Sequence, residues 1–225
     1  MAFSLYSLVF VATIAVLAEA RNAAYCNLAS CDGKQHTLCL FSAENPSKTC
    51  GKVQNMGVTK DQIREIVDVH NKYRKLVASG GERRGVSGPQ PAGNIGPLTW
   101  SPELAVIAQA WANQCQFGHD GCRNTPATKV GQNVAISQVY GQEQKSLSHM
   151  ISGWYDEVKN FDSNLVRSYQ NRGGPVVGHY TQMVWGKTTH VGCGIIDYMN
   201  DGPWESRYLV CNYGPAGNFI GQPIY

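Results

Sequence analysis

His190-Val191-Gly192-Cys193-Gly194-Ile195-Ile196-Asp197-Tyr198 and Arg207-Tyr208-Leu209-Val210-Cys211-Asn212-Tyr213 decide the fold. Both stretches carry β-branched and aromatic residues, and the Asn200-Asp201-Gly202-Pro203 link between them is turn chemistry, so they read as a hairpin. Cys193 and Cys211 fall one in each strand, which suits a bridge between them. Upstream, Val130 to Ser137 reads as a further strand with a polar start, Gly131-Gln132-Asn133. Three helices precede or interleave. Thr59-Lys60-Asp61-Gln62 is a capping-box start. Ile63, Ile66, Val67, His70, Arg74 and Val77 then share one face, and Ser79-Gly80-Gly81 ends the helix. Ser101-Pro102 opens a second helix, with Ser capping and Pro in the first turn. Its stripe is Leu104, Ile107, Ala108, Trp111, Ala112 and Cys115. A third is expected from about Glu143 to Lys159, with Leu147, Met150, Ile151, Trp154 and Val158 inward. Helices followed by strands, without strict alternation, predict an α+β domain with helices packed over a mixed sheet.

Composition narrows the class. The chain has 225 residues, 43% hydrophobic and 16% charged, which excludes a disordered protein. A net charge of +3, with the charges scattered, gives no footprint for nucleic acid. Leu8 to Ala18 is an apolar run followed by Ala18-Glu19-Ala20, so residues 1–20 read as a signal peptide and the protein as secreted. No later stretch is long enough to span a membrane. All eight cysteines follow residue 20, and an even count in an exported chain reads as a disulfide framework. No C-x-x-C pair occurs, which speaks against thiolate-bound zinc. The sequence by itself leaves the pairing open. Residues 21–57 hold half the cysteines and little apolar period, so they read as a loop-rich extension of the domain at 58–225.

Six histidines are candidates for chemistry. His36, His149 and His190 read as solvated or locally bonded. His70, on the apolar face of the first helix, reads as a core histidine bonded to backbone, Asn71 or Arg74. His119, in a short loop between Cys115 and Cys122, and His179, in Gly178-His179-Tyr180-Thr181-Gln182-Met183-Val184-Trp185, occupy the loop settings where sites are built.

That last string resembles the first signature of the CAP superfamily, the cysteine-rich secretory, antigen 5 and pathogenesis-related proteins. Tyr208-Leu209-Val210-Cys211-Asn212-Tyr213-Gly214-Pro215-Ala216-Gly217-Asn218-Phe219 resembles its second. His70-Asn71-Lys72-Tyr73-Arg74 and Gly131-Gln132-Asn133-Val134 resemble two shorter motifs, in the family's order. The resemblance covers about residues 60–219. The Cys-rich start, the segment from Cys115 to Asn124 and the ending Gly221-Gln222-Pro223-Ile224-Tyr225 look like the insect venom allergen 5 group.

The resemblance implies a three-layer α-β-α sandwich and four disulfides: Cys26 with Cys39, Cys31 with Cys122, Cys50 with Cys115, and Cys193 with Cys211. It also implies a cleft of two histidines and two acids. Carried over, these fall on His119, His179 and Glu157, with Gln132 standing where the family has its second acid. His119, His179 and Glu157 are then the candidate ligands for a divalent metal such as zinc, with no cofactor required. No Gly-x-Ser-x-Gly or His-Glu-x-x-His occurs. Thr181 and Ser137 are hydroxyls within conceivable reach of the histidines, and nothing in the sequence marks either as activated. The expected function is a secreted, non-enzymatic component of venom or saliva that binds a target in recipient tissue. Two alternatives are a carrier of a sterol or other lipid and a metal-dependent, peptidase-like hydrolase. The C-terminal cysteine-rich module of channel-blocking relatives is expected to be missing.

Overall fold

The computed structural model describes residues 24–200 and 202–225. The leader reading of residues 1–20 and Asp201 of the hairpin link lie outside them. The hairpin is β4 (His190–Met199) and β5 (Glu205–Gly214), in antiparallel register with Cys193 opposite Cys211. β5 pairs on its other side with β3 (Gly131–Val139), and β1 (Lys52–Met56) closes the far edge, giving the order β1-β4-β5-β3. The short β2 (Thr99–Trp100) adds in parallel to the start of β4.

Alternation along the hairpin builds two cores. Val191, Cys193, Ile195, Leu209, Cys211 and Tyr213 face one side of the sheet, with Ile66 and Val77 of α2 (Lys60–Ala78) and Met150, Ile151 and Trp154 of α4 (Leu147–Tyr155). Ile196, Tyr198, Tyr208 and Val210 face the other, with Ala108, Trp111 and Ala112 of α3 (Pro102–Ala112). Each fully buried large apolar side chain contributes about 1.5–3 kcal/mol. The result is the expected three-layer sandwich. It consumes the apolar stripes of α3 and α4 that a lipid-binding wall would need.

Close approach of α3 needs Gly194, where a methyl group would run into the Gln109 backbone. Gln109 then fills the gap between β1 and β2, its amide donating to Ile195 O at 2.9 Å and accepting from Ile195 N at 2.9 Å.

The N-terminal extension does more than the loop-rich reading allowed. Its last residues are the edge strand β1. Leu38 of α1 (Thr37–Leu40) packs on Ile107 and Ala110, so the outer side of α3 is covered too. All four disulfides form in the implied pairing. Cys31–Cys122 and Cys50–Cys115 close separations of 91 and 65 residues and staple the extension to the domain. In the chain-entropy model each contributes about 4 kcal/mol.

Three boundaries differ from the sequence reading. α4 starts at Leu147, not near Glu143, because Ser146 caps it by accepting from His149 N. Residues 144–145 instead cross the start of β5, with the Gln144 amide donating to Glu205 O and Lys145 O accepting from Arg207. α4 ends at Tyr155 and continues as a 3-10 turn, Asp156–Asn160. Cys115 lies past the end of α3 at φ 52, so it is no stripe position. His36 is also corrected: it is buried, caps α1 by accepting from Leu38 N at 3.0 Å, and donates to Asn124 O at 2.9 Å. Burial lowers its pKa. His149 and His190 are exposed, as read.

Candidate functional site

His179 opens α5 (Gly178–Met183), a helix whose N-cap, Val177, supplies no side-chain acceptor. Glu157 takes that part from the 3-10 turn after α4. Its Oε2 accepts from His179 N at 2.9 Å and Tyr180 N at 3.2 Å, placing a negative charge at the helix N-terminus. Its Oε1 accepts from His179 Nδ1 at 2.6 Å. One carboxylate thus both caps the helix and fixes the ring, and Trp154 stacks on the ring at 5.9 Å. Asn133 on β3 holds the backbone by donating to His179 O at 3.1 Å.

His119 sits in the loop after α3, and its Nδ1 donates to Gln132 Oε1 at 2.8 Å. Gln132 precedes Asn133 on β3, so adjacent residues of one strand hold the two histidines at the same end of the sheet. The rings sense each other: desolvation holds the His119 pKa below its ordinary value, the Gln132 hydrogen bond opposes this, and Arg123 and His179 add to the lowering. The structure therefore brings His119, Gln132, Glu157 and His179 together. In both rings Nδ1 carries the bonded proton, which leaves the Nε2 lone pair without a hydrogen-bond partner among the described residues.

The geometry also gives Gln132 a reason. Its amide nitrogen donates to Asp120 Oδ1 at 3.3 Å and Asn212 Oδ1 at 3.0 Å. A glutamate there would face two acceptors with nothing to donate. Gln132→Glu is expected to cost about 1–3 kcal/mol at neutral pH, with a smaller cost in acid once the carboxyl is protonated. Urea unfolding at pH 7 and pH 5 checks this; equal stability of variant and parent at pH 7 would refute the account.

The donor set fits a metal only in part. Glu157 is engaged at both oxygens and Gln132 is neutral, so the three-ligand set of His119, His179 and Glu157 is not assembled. Among the described residues no group of three or more His, Cys, Asp or Glu side chains is disposed to hold a metal ion. What the cleft offers is two imidazole nitrogens, each backed through its other nitrogen, the arrangement that orients a metal-binding histidine.

Neither candidate hydroxyl is free beside a histidine. Thr181 is buried and donates to Asn218 Oδ1 at 2.7 Å. Ser137 is further along β3, away from the cleft end. No cysteine is free. His70 is a core histidine: its Nδ1 donates to Ile66 O at 2.7 Å, and its Nε2 accepts from Tyr213 at 2.8 Å, rather than bonding Asn71 or Arg74. Asp120, Asn133 and Asn212 were missed as site residues. Asp120 carried a signal, standing directly after His119; the parts played by Asn133 and Asn212 follow from sheet register.

Comparison with known proteins agrees with this architecture. Residues 67–213 match the model of the CAP family, described as the cysteine-rich secretory protein family. Venom allergen 5 of Dolichovespula arenaria is 49% identical over 89% of this chain and 98% of its own length. Venom allergen 3 of Solenopsis invicta is 48% identical over 89% of this chain and 88% of its own. A solved structure of NaASP2 with Zn2+ is 30% identical, with a TM-score of 0.62 over 75% of this chain and 87% of that one. The chain belongs to the cysteine-rich secretory protein family, the CAP proteins, among relatives named as venom allergens.

Proposed function

We propose that the protein is an exported, non-enzymatic component of venom or saliva that acts by binding a target in recipient tissue. The observation that carries this reading is the state of the groups around the two imidazoles. Thr181 is committed to Asn218, every cysteine is in a disulfide, Glu157 is committed to α5 and His179, and Gln132 is an amide. Covalent catalysis needs an activated nucleophile beside a base, and glycoside hydrolysis needs two carboxyl groups free to flank the scissile bond, whereas the second carboxylate here, Asp120, is buried and committed to Thr37, Arg123 and the Gln132 amide. The names of the relatives support the venom setting, and the leader-like residues 1–20 with four disulfides support export. No helix among the described residues is long and apolar enough to cross a membrane.

The Nε2 atoms of His119 and His179 are the ligands this chain offers a divalent cation, which would bring a Lewis-acidic centre to the cleft. That NaASP2 has been solved with Zn2+ supports divalent-cation binding as a property to test in this chain. Glu157 acts there by orienting His179. Peptidase, esterase and glycosidase substrates test the main reading. The expected result is no turnover that depends on the cleft. Turnover lost in Glu157→Ala or His179→Ala would overturn it.

A further inference from the structure

Where the N-terminal extension meets the loop after α3, the two enclose a polar cavity of about 260 Å³. None of His119, Gln132, Glu157 and His179 lines it, so it is separate from the cleft. Its walls are tied together twice. The Cys31–Cys122 disulfide joins them covalently. Asn124 joins them again, its amide donating to Ser30 O at 2.7 Å while its Oδ1 accepts from Val130 N at 2.9 Å. Apart from the disulfide the lining carries no apolar side chain, which excludes an apolar ligand. It carries three cations, Lys34, Arg123 and Lys129, against one carboxylate, Asp32.

Arg123 is the most firmly held of the three. Its Nε donates to Asp120 Oδ1 and its Nη2 to Asp120 O at 2.8 Å, so one edge of the guanidinium is fixed. Its Nη1 has no hydrogen-bond partner among the described residues, and the side chain keeps 17% of its surface exposed. Lys34 and Lys129 are exposed at the rim. The Lys129 ammonium stands 3.8 Å from an Asp32 oxygen, a surface contact of little strength. A guanidinium fixed along one edge and open on another supplies directional donors, and the two lysines supply point charges. That combination suits a tetrahedral oxyanion. At roughly 30 Å³ for a water molecule, the cavity also admits part of the anion's hydration. We propose that this cavity binds the sulfate or phosphate group of a ligand, held by Arg123, Lys34 and Lys129. Asp32 limits the affinity, because it competes for Lys129 and repels the anion. For an exported protein the group comes from a sulfated glycan or from a phosphorylated small molecule.

Amide chemical-shift titration of the disulfide-bonded chain tests this, with chloride replaced by inorganic sulfate or phosphate at fixed ionic strength. Saturable shifts are expected at residues 30–34 and 121–124, with a dissociation constant on the order of 1 mM. Lys34→Gln and Lys129→Gln should each weaken binding about fivefold, the modest worth of an exposed charge contact. Asp32→Asn should tighten it by a similar factor. Lys75→Gln makes the same charge change on α2, which packs on the opposite face of the sheet from α3, and should have no effect. Arg123→Gln should weaken binding most. Near-ultraviolet circular dichroism verifies its folding, and the lysine variants carry the test if it fails to fold. A sulfated disaccharide and a sugar phosphate then serve as probes, and the one that binds more tightly identifies the source of the group. Failure of both to shift the same residues overturns the proposal. So do shifts that have not saturated by about 0.1 M, where the screening length is about 10 Å, since these report an ion atmosphere only. Saturable binding that Lys34→Gln and Lys129→Gln leave unchanged, or that Lys75→Gln weakens equally, overturns it as well.

Discussion

Arg74→Met is expected to destabilise the protein by about 3–5 kcal/mol, because it strips the donors from several buried carbonyl groups at once. Arg74 is 1% exposed and holds four carbonyl groups: Gly96 from Nε at 2.7 Å, Met183 and Trp185 from Nη1 at 2.8 and 2.9 Å, and Thr188 from Nη2 at 2.9 Å. Burial lowers its pKa to about 10, which still leaves it charged at neutral pH. Methionine fills much of the volume and removes the desolvation cost of the guanidinium. The carbonyls, however, lose their donors in a place water does not reach, at about 1–3 kcal/mol for each one left unsatisfied. Met183 is the last residue of α5 and Trp185 lies two residues beyond it, so the substitution loosens the C-terminal end of the helix that presents His179. Arg74→Lys should recover little, because one ammonium on a flexible stem cannot reproduce a planar fork. Thermal unfolding should show a drop of roughly 10 °C for a chain of this size. A loss below about 1 kcal/mol would refute the argument, since that is the usual net worth of a single exposed-to-buried hydrogen bond.

Arg74 also shows what the sequence made legible. An arginine on the apolar face of α2 was visible from the 3–4 spacing, while its four acceptors, which come from the end of α5 and from segments distant in the chain, were not. Local chemistry read well. The Thr59 capping box forms as written, with Thr59 N donating to Gln62 Oε1 at 2.8 Å and Gln62 N donating to Thr59 Oγ1 at 3.2 Å. The hairpin register follows from Cys193 and Cys211. β1 escaped notice because of its residues only Val53 is even half-buried, so the strand carries no alternation and exists through its nonlocal pairing with β4. His36 was misread for a related reason: its burial comes from the extension folding over α3 and meeting Asn124, 88 residues away. In the cleft, the resemblance supplied His119, Gln132, Glu157 and His179. Trp154 read as a core position and does stack in the core, and its contact with His179 is a consequence of where α4 ends. Asn212 entered only when the β3–β5 register set it opposite Gln132, and Asp120, next to His119 in the chain, when its loop brought it within reach of the Gln132 amide.

His70 sets the second large expectation, a loss of stability in mild acid. Its pKa is lowered to about 4, first by complete burial and then by the positive charge of Arg74, against the opposing hydrogen bond to Ile66 O. The unfolded chain protonates this imidazole at the ordinary value of about 6.5. Between those two values the unfolded state binds a proton that the folded state refuses. The stability held by the neutral ring is therefore complete above about pH 6.5 and declines as pH falls, by about 1.4 kcal/mol per unit for one group. By pH 4 the loss approaches roughly 3 kcal/mol. Protonation is disfavoured for a structural reason: Nε2 accepts the Tyr213 hydroxyl hydrogen, and an imidazolium would turn that acceptor into a second donor facing it. His70→Gln keeps a donor and an acceptor on the side chain and removes the titration. Its unfolding free energy, measured in urea from pH 7 to pH 4, should fall less steeply than the parent's. His36 and His119 have pKa values shifted the same way and remain in both proteins, so the difference between the two curves isolates His70. Parallel curves across that range would mean that the buried ring takes up its proton without cost, and the reading of His70, Tyr213 and Arg74 as a neutral, closed core network would be wrong.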